Sequence, residues 1–122
     1  MDSKDKDNPA AEVAVTISDC SKTDARTVID LLEHFFPVAG TGRAVEGGSA
    51  ATVWSTTLDA AKPPERRPAP VRVEDSVSVA LQGSPRAVDR VQAALAGHFT
   101  VEGAGAVSGD QEKEIGLRIR SA

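Results

Sequence analysis

The sequence predicts an α+β domain built from two related strand-helix-strand halves. Three observations carry this. Strictly alternating apolar residues occur at Val13, Val15 and Ile17, and again at Val77, Val79 and Leu81. Each run is followed, after a short turn holding a serine, by apolar residues at helical spacing. The two sets recur in the same order at nearly the same separation.

Residues 1–11 read as a solvated tail, with charges of both signs and little to bury. Glu12 to Ser18 is a half-buried strand, its apolar set facing one way and Ala14, Thr16 and Ser18 the other. Asp19, Cys20 and Ser21 form the turn. Ser21 with Asp24 resembles a capping box opening a helix. Ala25, Val28, Ile29, Leu32 and Phe36 form its stripe, widened by Leu31 and Phe35, and Pro37 ends it. Gly40, Gly42, Gly47 and Gly48 mark a loop or hairpin, and Ala51 to Leu58 reads as a second strand. Four prolines among residues 59–70 make that stretch an extended connection. Apolar alternation resumes at Val71 and runs to Leu81, as one long strand or two short ones. Ser84-Pro85 starts the second helix, with Val88, Val91, Leu95 and Phe99 as its stripe. A strand from Phe99, a turn at Ser108-Gly109-Asp110 and a last strand with Ile115, Leu117 and Ile119 complete the chain.

Aligning the halves places Ser21 on Ser84, Val28 on Val91, Leu32 on Leu95, Phe36 on Phe99 and Val38 on Val101. A gapless register pairing His34 with His98 lays polar Asp24 and Thr27 over Val88 and Val91, and is rejected. The domain map is therefore a tail (1–11) and one domain (12–122), with repeat 1 at 12–58, the connection at 59–70 and repeat 2 at 71–120. Repeated β-α-β units, each with an optional hairpin strand, give an antiparallel sheet with two helices on one face. The outline resembles the ferredoxin-like sandwich; a tautomerase-like duplicated βαββ domain is the rival topology. That superfold hosts enzymes, sensors and adaptors, so it does not decide the function.

The net charge of −4, with 14 Lys and Arg against 18 Asp and Glu, argues against nonspecific binding to phosphate backbones. One cysteine allows neither an internal disulfide nor a multi-thiolate metal site. The charged start has no apolar signal core, and no run approaches a membrane span. An Ala-, Val-, Gly- and Arg-rich composition suggests a GC-rich bacterial genome, and the cytoplasm is the expected compartment.

Chemistry-bearing candidates are few. Cys20 stands just ahead of a helix, where amide dipoles favour a thiolate. Its loop resembles that of ferredoxin-like metal chaperones, but Thr23 stands where a second cysteine would be needed, so no metal is expected. His34 and His98 each lie near a helix C-terminus, where a cationic ring is favoured on dipole grounds alone. Asp19, Cys20, Ser21, Gly40, Gly42 and Arg43 could line a small-ligand site. The sheet face away from the helices is expected to show Thr16, Trp54, Thr56, Arg72, Ser78, Gln82, Arg118 and Arg120. Of these, Thr16, Trp54, Arg72, Arg118 and Arg120 are the candidate partner-facing set. No Gly-x-Ser-x-Gly elbow or placed carboxylate pair appears, and no cofactor is implied. The expected function is a non-catalytic interaction or regulatory module, a homodimer or part of a larger assembly. A small-ligand sensor and a cysteine-dependent enzyme are the alternatives.

Overall fold

In the computed structural model, residues 11–39, 45–46, 53–61, 72–109 and 112–121 are described. The chain runs β1 (Glu12–Ser18), α1 (Lys22–Phe35), β2 (Val45–Glu46), β3 (Val53–Asp59), β4 (Val77–Gly83), α2 (Pro85–Ala96), β5 (Phe99–Ser108) and β6 (Lys113–Ser121). The strands form one six-stranded sheet in the order β2-β3-β1-β4-β6-β5. Every pairing is antiparallel.

Alternation in the sequence becomes the two faces of this sheet. Val13, Val15 and Ile17 stand opposite Leu58, Thr56 and Trp54 on one side. On the other side Val15 and Ile17 stand opposite Leu81 and Val79. Val77, Val79 and Leu81 in turn face Ile119, Leu117 and Ile115. These residues are buried and share a core with Val28, Leu32 and Phe36 of the first half and Val88, Val91 and Leu95 of the second. Both helices therefore cover the same face of the sheet. α1 packs on β3, and α2 packs on β1, β4, β5 and β6.

Both helix starts were legible in the sequence. The Ser21 side chain accepts from the Asp24 amide at 3.1 Å, and the Ser84 side chain accepts from the Ala87 amide at 3.4 Å. Each satisfies one of the orphan donors of a first turn. Pro85 opens α2, where its missing N–H costs nothing. The helices touch near their C-terminal ends, where the Phe35 and His98 rings meet edge-on at 5.2 Å.

Glycine is required at two places. A Cβ on Gly83 would stand 2.4 Å from the Glu12 carbonyl oxygen, so β1 and β4 approach closely there only because Gly83 has none. Gly105 has φ of 149° at the irregularity between Gly103 and Gly105, where β5 shifts register against β6.

The stretch before β4 departs from expectation. The alternation from Val71 predicted a strand, yet β4 begins at Val77. Side chains hold residues 73–75 elsewhere. The buried Asp24 carboxylate accepts from the Glu74 and Asp75 amides at 2.9 and 3.1 Å. Ser121 Oγ accepts from the Val73 amide at 2.9 Å and donates to the Val73 carbonyl. These groups are thereby withdrawn from any sheet ladder. At the opposite end of the sheet the Ala60 amide donates to the Ala11 carbonyl at 2.8 Å. Arg90 donates to the carbonyls of Ala60 and Ala61, each at 2.9 Å.

Candidate functional site

With both helices on one side, the other face of the sheet has no layer over it among the described residues. Its composition follows from the registers. The central row is Ser55, Thr16, Ala80 and Gly116, with Gly105 beyond. None carries a side chain larger than threonine, so the middle of the face is flat. Toward one end stand Val53, Ser18, Ser78, Arg118 and Glu102; toward the other stand Thr57, Ala14, Gln82, Glu114 and Val107. Val53 and Val107 are exposed large hydrophobics on this face. The face is thus small and mixed at its centre, with charge concentrated on β6.

A hydrogen-bonded string crosses the first of these end rows. Arg118 donates to Ser78 Oγ at 3.2 Å, and Ser78 donates to the Asp19 carboxylate at 3.0 Å. Arg120 meets Glu102 at 3.5 Å with both side chains more than half exposed, a geometry worth little in water. On the acidic end, Gln82 donates to Glu112 at 3.5 Å.

Two members of the expected partner-facing set lie elsewhere. Trp54 is 2% exposed and faces the helices opposite Ile17. Thr56, expected on the open face, is also turned inward and donates to Glu33 of α1 at 2.9 Å. The cause is strand parity: Leu58 is the strongest anchor of β3, and Trp54 and Thr56 share its side. Arg72 lies before β4, outside every strand of the sheet. Thr16, Arg118 and Arg120 stand on or beside the open face as expected. Trp54 Nε1 is buried and finds no hydrogen-bond partner among the described residues. As the only tryptophan, it gives a direct check: its fluorescence is expected to be blue-shifted and poorly quenched by iodide. Strong quenching in the folded protein would return it to the open face.

The turn proposed as a ligand lining has structural work. Asp19 adopts φ of 58°, a left-handed conformation aspartate tolerates, and takes the Ser78 hydroxyl. Ser21 caps α1. Cys20 is partly buried, and its thiol is pushed up from 9.0 to about 11, by burial first and then by the Asp24 and Asp19 carboxylates. This is the reverse of what a nucleophilic thiol needs. Cys20 is therefore expected to alkylate more slowly in the native protein than in the denatured chain at pH 8–9, with a native rate midpoint near pH 11. Fast native alkylation at neutral pH would contradict this. Gly40, Gly42 and Arg43 lie outside the described residues.

The His98 ring packs on Phe35, and its Nδ1 is 3.4 Å from the Ala94 carbonyl oxygen. His34 is exposed beside the same phenylalanine, at a ring distance of 6.4 Å. Among the described residues no group of three or more His, Cys, Asp or Glu side chains could hold a metal ion. No helix among them is long and apolar enough to cross a membrane. Compared with protein-family models, curated proteins and solved structures, the chain finds no match.

Proposed function

We propose that this chain is a non-catalytic protein-interaction or regulatory module of a bacterial cytoplasmic system, that it self-associates, and that the open sheet face is its docking surface. The observation that carries this reading is the flat central row of Ser55, Thr16, Ala80 and Gly116, flanked by exposed Val53 and Val107. Small residues there let a second backbone or side-chain layer approach closely, as layers packed on a sheet require.

The same reading takes the scaffold as a duplicated βαββ unit of ferredoxin-like outline. Three features support duplication. The caps Ser21 and Ser84 each bind the amide three residues on. The pairs Val28 and Val91, and Leu32 and Leu95, are equally buried. The central ladder maps onto itself: Val15 faces Leu81 and Ile17 faces Val79, and exchanging each residue for its counterpart returns the same two pairs. Each half contributes a third strand of its own, which favours the βαββ form of the repeat over plain βαβ.

The test uses Ala80→Arg, which raises a long charged side chain from the middle of the face. The unmodified chain and the variant are each tagged, expressed in the native cell and recovered with what they hold. A protein or second copy retained by the first and lost by the second supports the reading. Retention indifferent to Ala80→Arg, or recovery of a bound metabolite instead, overturns it, and the metabolite would favour the sensor.

A further inference from the structure

β6 carries a charge pattern that complements itself. The alternate positions Glu112, Glu114, Gly116, Arg118 and Arg120 read as two acids, a glycine and two arginines. Glu114, Gly116 and Arg118 lie on the open face, opposite Gln82, Ala80 and Ser78 of β4. The Gln82 contact holds Glu112 beside the same face. Along a strand, two residues span about 7 Å, so Glu114 and Arg118 lie at equal distances on either side of Gly116. From these placements, resting on the docking reading above, we propose that the partner is a second copy of this chain. The two open faces meet about a two-fold axis that runs between the two sheets over Gly116, parallel to the sheets and perpendicular to β6.

A half-turn about that axis reverses the strand and leaves its position across the sheet unchanged. Gly116 then faces Gly116, Glu114 faces Arg118 of the second copy, and Glu112 faces Arg120. Each contact occurs twice, as an isologous interface demands. The groups concerned have capacity to spare. The Glu114 side chain makes no hydrogen bond or ion pair among the described residues. Arg118 donates to a neutral hydroxyl, Ser78, and Arg120 holds Glu102 only loosely. The central row has no side chain long enough to keep the faces apart. Six strands of about 4.8 Å spacing and about seven residues' average length present roughly 650 Å² of sheet, the same order as the about 800 Å² of accessible surface that stable interfaces bury per partner.

The test is sedimentation velocity on the full chain across a dilution series, at low salt and at high salt. Circular dichroism accompanies each variant; Glu114 and Arg118 are exposed, so their replacements are expected to fold. The proposal predicts a dimer that weakens as salt rises, since paired charges steer and hold such a face. Glu114→Arg alone and Arg118→Glu alone should each weaken dimerisation about tenfold or more, and the double variant Glu114→Arg with Arg118→Glu should restore it. A chain monomeric at all concentrations overturns this proposal and the self-association proposed above; the open face as a docking surface for another partner is then judged by Ala80→Arg alone. A dimer indifferent to both single reversals, or one the double reversal does not rescue, places the interface elsewhere and overturns the two-fold at Gly116.

Discussion

Replacing Leu95 with alanine is expected to destabilise the protein by about 2–5 kcal/mol, the range for truncating a fully buried leucine. Leu95 is 0% exposed and belongs to the core between α2 and the sheet. The loss combines the transfer free energy of the removed methyl groups with the cavity left behind, which a sheet fixed on both sides by ladders cannot readily collapse. Leu32, its counterpart on α1, is equally buried, and Leu32→Ala should behave alike. Gln92 is on the same helix but only partly buried, and Gln92→Ala should change stability by less than about 0.5 kcal/mol. Urea denaturation with unchanged slope separates these cases. Equal losses at Leu95 and Gln92 would mean that the face of α2 has been misassigned.

Asp24→Ala is expected to cost about 2–4 kcal/mol, since two charge-assisted bonds to backbone amides disappear together. The carboxylate is 1% exposed and joins the first turn of α1 to the chain leading into β4, through the amides of Glu74 and Asp75. Asp24→Asn retains one carbonyl acceptor and the shape, so its cost should fall between those of wild type and alanine. Hydrogen exchange provides the local readout. The Glu74 and Asp75 amides should lose protection in Asp24→Ala while the β1–β4 ladder retains most of its own. Uniform loss across the sheet, with no excess at those two amides, would assign Asp24 a role in helix capping alone.

Most of the scaffold was legible because its signals are local. β1 occupies the predicted span of residues 12–18, both serine caps stand where their spacing put them, and so do the apolar stripes except at their last members: Phe36 is the extended C-cap of α1 and Phe99 opens β5. The candidate site was less legible, for two physical reasons. The first is parity. In β3 neither alternate set is uniformly apolar: Val53, Ser55 and Thr57 compete with Trp54, Thr56 and Leu58. The polar Thr56 is tolerated inside only because Glu33 accepts its hydroxyl from a helix in another part of the chain. Leu58 and Trp54 sharing one parity was the available signal. The second reason is distance along the chain. Nothing near Asp24 indicates that its side chain reaches Glu74 and Asp75, and nothing near Val73 indicates that its backbone bonds to Ser121 instead of a neighbouring strand. The acid-glycine-arginine alternation of β6, by contrast, was visible in the sequence. Its meaning required knowing that those positions share an uncovered face.

The tethers at the two ends of the sheet bear on how the chain is threaded. Ala11 is hydrogen-bonded beside Ala60, and Ser121 beside Val73. The described chain therefore begins next to where the first half ends, and finishes next to where the second half begins. A linker from Ser121 back to Ala11 would have to bridge the same gap that the connection between Ala61 and Arg72 already bridges. A circularly permuted chain, opened between the halves and closed with a segment of similar length, should reach the same sheet with the same central seam.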